Sequence, residues 1–517
     1  MTLLELAGLL GALGGIAAAG VRWLRVAQRE HYLPGATARF AARWWWRSTQ
    51  TNRLLGALAL GAVIASLFAP VAAVVTGAVL VGGPIGLGIR GRTSGLNWTR
   101  RLSLVAAVTV GLEAALLTSG ALTGGLRGVV VAAAAGGMAS PAVIDLALAL
   151  LRPVEDLLAG RYVRQAAAVL GRVHPIAVGV TGSFGKTSTK GYIAHLVAAR
   201  HTVVASPRSF NNRAGLARTV NEHLTPGTEV LVAEMGAYGP GEIAAMCRWL
   251  RPEISVITAI GPAHLERFRT LERTTAAKAE ITRSARVVVL NVDDPHLEGL
   301  ANELAAQRRV VRTSARDPQA DVAVLPDGSG FELRVAGHRI GVVSIGAGSA
   351  MPVASNIACA VAVALELGVT AAEVIQLLPT LPGIPNRLQR YQAVAGYLVL
   401  DDTFNSNPAG ARLALEALAG EAPGGRRVLV TPGIVELGSS QYRENAALAE
   451  GAGAIATDIV VVGGSNRRAL LEGCSRSTPV PRVEVVAKRE DAVLWARANL
   501  GPGDAVLFEN DLPDHFP

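Results

Sequence analysis

Four apolar blocks dominate the first 152 residues: Leu3 to Val21, Leu54 to Ile89, Leu102 to Leu122, and Val129 to Leu151. A helix needs about 20 apolar residues to cross a bilayer, so the first, third and fourth blocks each suit one crossing. The second is too long for one crossing and contains Pro70, which predicts a tight hairpin of two short spans. The pattern therefore predicts a multi-span α-helical transmembrane domain over residues 1–152, with five spans. The competing reading makes some of these Ala- and Gly-rich blocks buried helices of a soluble domain.

From Pro175 onward the pattern changes. Short β-branched runs (Ile176–Thr181, Thr202–Ala205, Glu229–Ala233, Ile254–Ala259, Arg286–Asn291) alternate with Ala- and Leu-rich segments of helical period. Such alternation predicts βαβ units and a parallel sheet. Residues Asp321 to Ile345 read instead as short strands with turns at Pro326-Asp327-Gly328 and Ala336-Gly337, a small antiparallel flap, followed by a helix over Ser355–Leu367. Pro382-Gly383-Ile384-Pro385 is a hinge candidate. Beyond it a second α/β series runs through strand Tyr397–Leu400, helix Gly410–Ala419, and strands Arg427–Thr431, Asp458–Val462 and Ala505–Phe508. Two α/β domains, over residues 170–383 and 384–517, thus follow the transmembrane domain, the first with a parallel sheet and the second Rossmann-like.

Composition and charge agree with a membrane portion ahead of a cytoplasmic one. Half of the 517 residues are hydrophobic (50%) and 17% are charged; a mean hydropathy of +0.36 is too apolar for an ordinary soluble enzyme. The net charge of +9 invites a nucleic-acid reading, but much of it lies at Arg22, Arg25, Arg29, Arg39, Arg43, Arg47 and Arg53, between apolar stretches. Arginine in that position marks cytoplasmic loops, so no nucleic-acid partner is expected. Placing segments Arg22–Arg53 and Arg90–Arg101, and everything after Arg152, in the cytoplasm is satisfied by five spans with the N-terminus outside. Four spans would leave one basic loop on the wrong side. The expected location is the cytoplasmic (inner) membrane, multi-pass, with both α/β domains cytoplasmic. Glu5 stands where a cleavable signal peptide would be basic. Trp44, Trp45 and Trp46 suit either the headgroup region or a packed amphipathic helix. Cys247, Cys359 and Cys474 show no paired or metal-ligand spacing and fit a reducing compartment.

The strongest chemical signal is Thr181-Gly182-Ser183-Phe184-Gly185-Lys186-Thr187-Ser188, between a β-branched strand and a helix. Glycines let the backbone wrap phosphate oxygens, and the helix N-terminus adds its positive dipole. Lys186 then reaches the β- and γ-phosphates of ATP and Thr187 ligates Mg²⁺, with Gly182, Ser183, Gly185 and Ser188 completing the cradle. Val180 stands where the strict pattern has glycine, so the loop is a variant. Glu234 ends a predicted strand, where α/β proteins place functional groups, and is a Mg²⁺ ligand candidate. His264, after a Gly-Pro turn, is by itself as well read as a structural loop histidine.

Ordered downstream motifs accompany this loop: Ser209-Phe210-Asn211-Asn212-Arg213-Ala214-Gly215, Ala233-Glu234-Met235-Gly236-Ala237, Gly261-Pro262-Ala263-His264-Leu265-Glu266 and Ala277-Lys278-Ala279-Glu280-Ile281. Farther on come Asp401-Asp402-Thr403-Phe404-Asn405-Ser406-Asn407-Pro408 and Thr431-Pro432-Gly433-Ile434-Val435-Glu436-Leu437-Gly438. Together, from about Ile176 to the C-terminus, they resemble the Mur ligase family, and most closely its D-alanyl-D-alanine-adding branch. The resemblance implies a central ATP-binding domain and a C-terminal domain of that family. It implies a catalytic set of Lys186, Lys278, His264 and Glu234. Two Mg²⁺ ions would be held by Thr187, Glu234, His264 and Lys278, the last carbamylated by CO₂. It further implies that Asn356 contacts adenine, Arg387 the phosphates and Asp402 the ribose of ATP, with substrate contacts from Asn211, Asn212, Asn405 and Asn407. The chain departs from the family pattern at Ser355 (usually His), Asn386 (usually Gly) and Phe404 (usually Tyr).

The activity so implied is ATP-dependent joining of a carboxylate acceptor to an amine (an amino acid or dipeptide) through an acyl phosphate. Soluble members carry an N-terminal domain for a UDP-sugar; here membrane spans take that place. The stretch Glu509-Asn510-Asp511-Leu512-Pro513-Asp514 also differs from the expected Lys-Gly-Ser type. The expected acceptor is therefore lipid-linked or polymeric, in cell-envelope or peptidoglycan-type biosynthesis, with other proteins of that process as partners. The nearest alternative is a tethered D-alanyl-D-alanine-adding ligase using UDP-MurNAc-tripeptide. From other classes come a P-loop ATPase driving transport, disfavoured because Glu113 and Asp145 are the clear ionisable residues within the spans, and an inactive scaffold, which would need none of the catalytic set.

Overall fold

A computed structural model describes residues 2–89, 96–207, 210–262, 265–328, 330–344, 353–383, 388–404 and 406–512. Two compact units divide after Leu158, the second running from Ala159 to Asp511.

The first unit is helical: Leu3–Arg29, Ala36–Arg43, Gln50–Ser66, Ala73–Gly82 and the start of Arg100–Val173. The long second apolar block folds as a hairpin. Its two helices meet through a 3-10 turn at Pro70–Ala72, and Thr76 Oγ1 donates to Ala59 O at 3.3 Å. Arg100–Val173 is two arms, broken at Gly125 (φ 56°, ψ −142°). The arms fold back on each other. A Cβ on Gly128 would lie 2.0 Å from Gly120 O, and Arg101 on one arm pairs with Glu155 on the other at 2.6 Å. By length and composition, two helices among the described residues, Leu3–Arg29 and Arg100–Val173, are long and apolar enough to cross a membrane. The arms of the Pro70 hairpin are shorter than the roughly 20 residues a crossing needs.

Small residues fill this unit together with Trp23, Trp44, Leu80, Leu102 and Ile144, while other large apolar side chains face out. Ala12, Ala19, Ala59, Ala73, Ala133 and Ala147 are buried, whereas Leu3, Leu10, Leu54, Ile64, Phe68, Val110 and Leu122 are exposed. Polar side chains inside close helix ends. Arg22 donates to Leu80 O, Val81 O and Leu87 O at 2.6, 2.9 and 2.9 Å, around the C-terminus of Ala73–Gly82. Asp145 accepts the N–H groups of Thr37 and Ala38 at 3.2 and 2.8 Å, capping Ala36–Arg43. Trp44 and Trp45 are buried in the unit and Trp46 is exposed.

The second unit holds two sheets. The strands of the first are β1 (Ile176–Thr181), β2 (Val203–Ala205), β3 (Val230–Glu234), β4 (Ile254–Ile257), β5 (Val287–Asn291), β6 (Arg309–Ser314), β7 (Val322–Asp327), β8 (Gly330–Val335) and β9 (His338–Ser344). Their order is β2-β3-β1-β4-β5-β6-β7-β8-β9. β1 to β7 are parallel, and both faces are covered by helices, which is why the strands read as continuous apolar runs. The flap expected over 321–345 does not stand apart. β7 pairs parallel to β6 at Thr313–Val322 and Ser314–Ala323, so the antiparallel β7-β8-β9 meander extends the main sheet.

The second sheet contains β10 (Gln389–Gln392), β11 (Leu398–Asp402), β12 (Arg427–Thr431), β13 (Asp458–Val462), β14 (Arg482–Val486) and β15 (Ala505–Glu509). Its order is β10-β11-β15-β12-β13-β14, parallel except for β10. Of the predicted hinge, Ile384 and Pro385 lie outside the described residues. The three cysteines are buried, and burial pushes the thiols of Cys247 and Cys359 up to about 12.

Candidate active site

The C-terminal ends of β1, β3 and β4 converge on the phosphate loop, the position at which open α/β sheets bind ligands. After β1 the chain turns at Gly182 (φ 150°) and Gly185 (φ 82°) and enters helix Lys186–Val197. Both turns need glycine. A Cβ on Gly182 would lie 2.0 Å from Thr258 Oγ1, and one on Gly185 2.3 Å from Asn356 Oδ1. The segment after β4 pins the loop: Ser183 N–H donates to Ala259 O at 2.8 Å, and Gly261 N–H to Ser183 Oγ at 3.0 Å. Lys186 Nζ donates to Gly182 O at 2.8 Å and Ser183 O at 3.2 Å, curled over the loop it would share with a phosphate. Ser188 follows in the first turn of the helix.

Glu234, at the end of β3 and opposite Val180 of β1, is almost wholly buried. Its Oε2 accepts from Thr187 Oγ1 at 3.0 Å and Lys190 Nζ at 3.1 Å, and its Oε1 from Asn211 Nδ2 at 3.1 Å. The structure thus gathers Lys186, Thr187, Asn211 and Glu234, from three separate motif segments, around the loop. Lys190 was not anticipated, although its spacing three residues after Thr187 puts both on one helix face. Thr187 and Glu234 offer the hard oxygen donors that suit Mg²⁺, which completes its shell with water and phosphate. Among the described residues no group of three or more His, Cys, Asp or Glu could hold a metal.

Lys278, on helix Leu271–Ala279, is buried with its ammonium 6.0 Å from the Phe268 ring centroid. Burial, with the charge of Lys186 adding to it, holds its pKa well below the usual 10.5. Glu280 is turned away, accepting from Gly241 N–H at 2.7 Å and Ala244 N–H at 2.9 Å to cap helix Glu242–Leu250. His264 lies outside the described residues.

Of the remaining candidates, Asn356 sits against Gly185 at the phosphate loop. Asn212 caps helix Arg213–His223 by accepting from Gly215 N–H at 2.8 Å, and Asn407 caps Pro408–Ala419 through Gly410 N–H at 2.9 Å. Asp402 ends β11 and accepts from Leu388 N–H at 3.2 Å. Arg387 and Asn405 lie outside the described residues. Glu509, which sequence reasoning passed over, pairs with Asp402 across β11 and β15. It is fully buried, and burial, together with the charge of Asp402, pushes its carboxyl up to about 7 against hydrogen bonds from Ser406 and Thr431.

Comparison with known proteins agrees with this geometry. Residues 180–364 match the Mur ligase middle domain and residues 386–509 the Mur ligase, glutamate ligase domain. The UDP-N-acetylmuramoyl-tripeptide--D-alanyl-D-alanine ligase of Mycobacterium leprae (strain TN) is 35% identical over 369 residues, covering 64% of this chain and 70% of that protein. Among solved structures, MurF ligase from Thermotoga maritima in complex with ADP is 26% identical, with a TM-score of 0.59 over 68% of this chain and 80% of that one. MurF from Acinetobacter baumannii shares the fold at 24% identity, with a TM-score of 0.60 over 68% and 77%.

Proposed function

The chain belongs to the Mur ligase family, whose members are ATP-dependent amide-forming ligases, and from that premise we propose that it joins D-alanyl-D-alanine, or a closely similar amine, to the peptide carboxylate of a muramyl-tripeptide-type acceptor. The observation that carries the reading is the cluster of Thr187, Lys190 and Asn211 on the buried carboxylate of Glu234, behind a phosphate loop over which Lys186 is curled.

The acceptor carboxylate attacks the γ-phosphorus of ATP, the bond to the β–γ bridging oxygen breaks, and an acyl phosphate and ADP result. The amine then adds to the acyl carbon, and phosphate leaves as the amide forms. Loop N–H groups and the N-terminus of helix Lys186–Val197 hold the phosphates, and Lys186 offsets the charge that develops on the transferred group. Mg²⁺, held by Thr187 and Glu234 when bound, lowers the repulsion between carboxylate and triphosphate. His264 and a carbamylated Lys278 serve a second ion; burial of the Lys278 amine beside Phe268 favours the neutral form that adds CO₂. Asn356, Arg387 and Asp402 bind the nucleotide, and Asn405 and Asn407 the substrate.

One observation favours a second reading of the acceptor. The helical unit turns large apolar side chains such as Leu3, Leu54, Phe68 and Leu122 outward, as a bundle dissolved in lipid does. We read it as a multi-pass anchor in the cytoplasmic membrane, N-terminus outside, with the ligase domains in the cytoplasm. An acceptor linked to the bilayer, and not to UDP, then lies within reach. Incubation with ATP, Mg²⁺ and D-alanyl-D-alanine, against UDP-MurNAc-tripeptide or its lipid-linked counterpart, tests both readings by product mass. Product from the UDP-linked acceptor alone removes the second reading; no product from either removes the first.

A further inference from the structure

The C-terminal sheet ends in a buried carboxylate that the chemistry above leaves without a task. Glu509 closes β15, which lies between β11 and β12 in the sheet. Its Oε1 accepts from Ser406 Oγ, in the loop after β11, and its Oε2 from Thr431 Oγ1 at 2.6 Å, at the end of β12. The next residue, Asn510, donates its Nδ2 to Gly433 O at 2.7 Å and its N–H to Asp402 O at 3.1 Å. Two adjacent residues thereby tie together both motif-bearing loops, from the one strand that neighbours both. Asn510 adopts a φ of 64°, which aims its side chain at one loop while its backbone serves the other.

Above about pH 7, where Glu509 is ionised, its carboxylate can only accept, so it fixes the direction of both hydroxyl hydrogens. Thr431 Oγ1 donates to Glu509 and accepts from Gly433 N–H at 2.9 Å. Ser406, half-buried, likewise gives its hydrogen to Glu509, which leaves its oxygen an acceptor toward anything on its open side. Bonds of this charge-assisted kind are stronger than neutral ones, so the orientation is firmly held.

We propose that Glu509 is a positioning residue for the amine substrate: it holds the loops carrying Ser406 and Gly433 at one spacing and makes Ser406 an obligate acceptor for an N–H of that amine. The inference rests on the ligase reading. The ligand assigned to it is the nucleophilic partner, whose N–H donors suit an acceptor oxygen, the contacts to ATP having been given to Asn356, Arg387 and Asp402.

The test is steady-state kinetics on the full-length protein, with ATP, D-alanyl-D-alanine and whichever muramyl-tripeptide acceptor the wild type uses. Glu509→Ala raises the KM for D-alanyl-D-alanine by roughly 100-fold, the effect of a misplacement of about 1 Å, while the KM for ATP moves by less than about threefold. Ser406→Ala, which removes a single hydroxyl and keeps the fold if Glu509→Ala does not, raises the same KM roughly 10-fold. Glu509→Gln, which has one acceptor and one donor where the carboxylate has two acceptors, falls between these. Amine KM values within twofold of wild type in folded Ser406→Ala and Glu509→Gln overturn the proposal. A wild-type protein that makes no amide overturns the ligase reading instead, which is a different result.

Discussion

Lys190 Nζ lies 3.1 Å from Oε2 of Glu234, and both side chains are more than nine-tenths buried. The same oxygen receives the Thr187 hydroxyl, so the helix after the phosphate loop and the end of β3 meet at a single carboxylate. Taking two charges out of water is costly, and what keeps such a pair in place is that each depends on the other.

Lys190→Met therefore strands Glu234 and lowers unfolding free energy by about 3–5 kcal/mol in denaturant titration of the ligase unit's transition. Lys190→Met combined with Glu234→Gln recovers most of that loss, because no uncompensated charge remains. Losses that simply add in the double variant would show that the two residues do not act as a pair.

Lys278 stands buried beside an aromatic ring, with burial and Lys186 favouring its uncharged amine. Protein equilibrated with ¹³C-bicarbonate is expected to show a carbamate carbon resonance that Lys278→Ala lacks, and Lys278→Ala to lose roughly 100-fold or more in kcat. Identical spectra from the two proteins would remove the carbamate.

For Glu509 the folded carboxyl titrates at about 7 against an ordinary 4.5, chiefly through burial. The folded state thus holds the proton more tightly than the unfolded chain. The stability this contributes is full below about 4.5 and is lost as pH rises through about 7. Relative to Glu509→Gln, which does not titrate, the wild type should lose roughly 3 kcal/mol between those limits. Melting temperatures of the two proteins that stay parallel from pH 5 to 8 would contradict it.

If the helical unit is an anchor, the full-length protein stays with membranes through alkaline carbonate extraction and leaves only with detergent. Recovery in the carbonate supernatant would make the apolar exterior of Leu3, Leu54 and Phe68 a protein-contact surface instead.

Much of the fold could be read from sequence because it rests on local rules. β3 and β5 are buried along their whole length and appear as unbroken apolar runs. Pro70 and the glycines near Gly125 mark turns that the chain makes. By contrast β14 is an exposed edge strand whose Arg482-Val483-Glu484 alternation looks like any surface segment. The phosphate loop was readable because one continuous stretch carries its geometry. The parts that escaped depend on partners far apart in the chain: Glu509 meets Thr431 and Ser406 across 78 and 103 residues, and Lys190 meets Glu234 across 44. Asp145 stood out in sequence as an ionisable residue within an apolar block, but the cap it makes on Ala36–Arg43 depends on a helix more than 100 residues earlier.

The most direct test of the account follows the oxygen of the acceptor carboxylate. With that carboxylate labelled by ¹⁸O, and ATP, Mg²⁺ and D-alanyl-D-alanine supplied, each amide formed should release one inorganic phosphate carrying one ¹⁸O, and Lys186→Ala should release almost none. Amide formed together with unlabelled phosphate would mean that no acyl phosphate is made, and the phosphate loop would need another explanation.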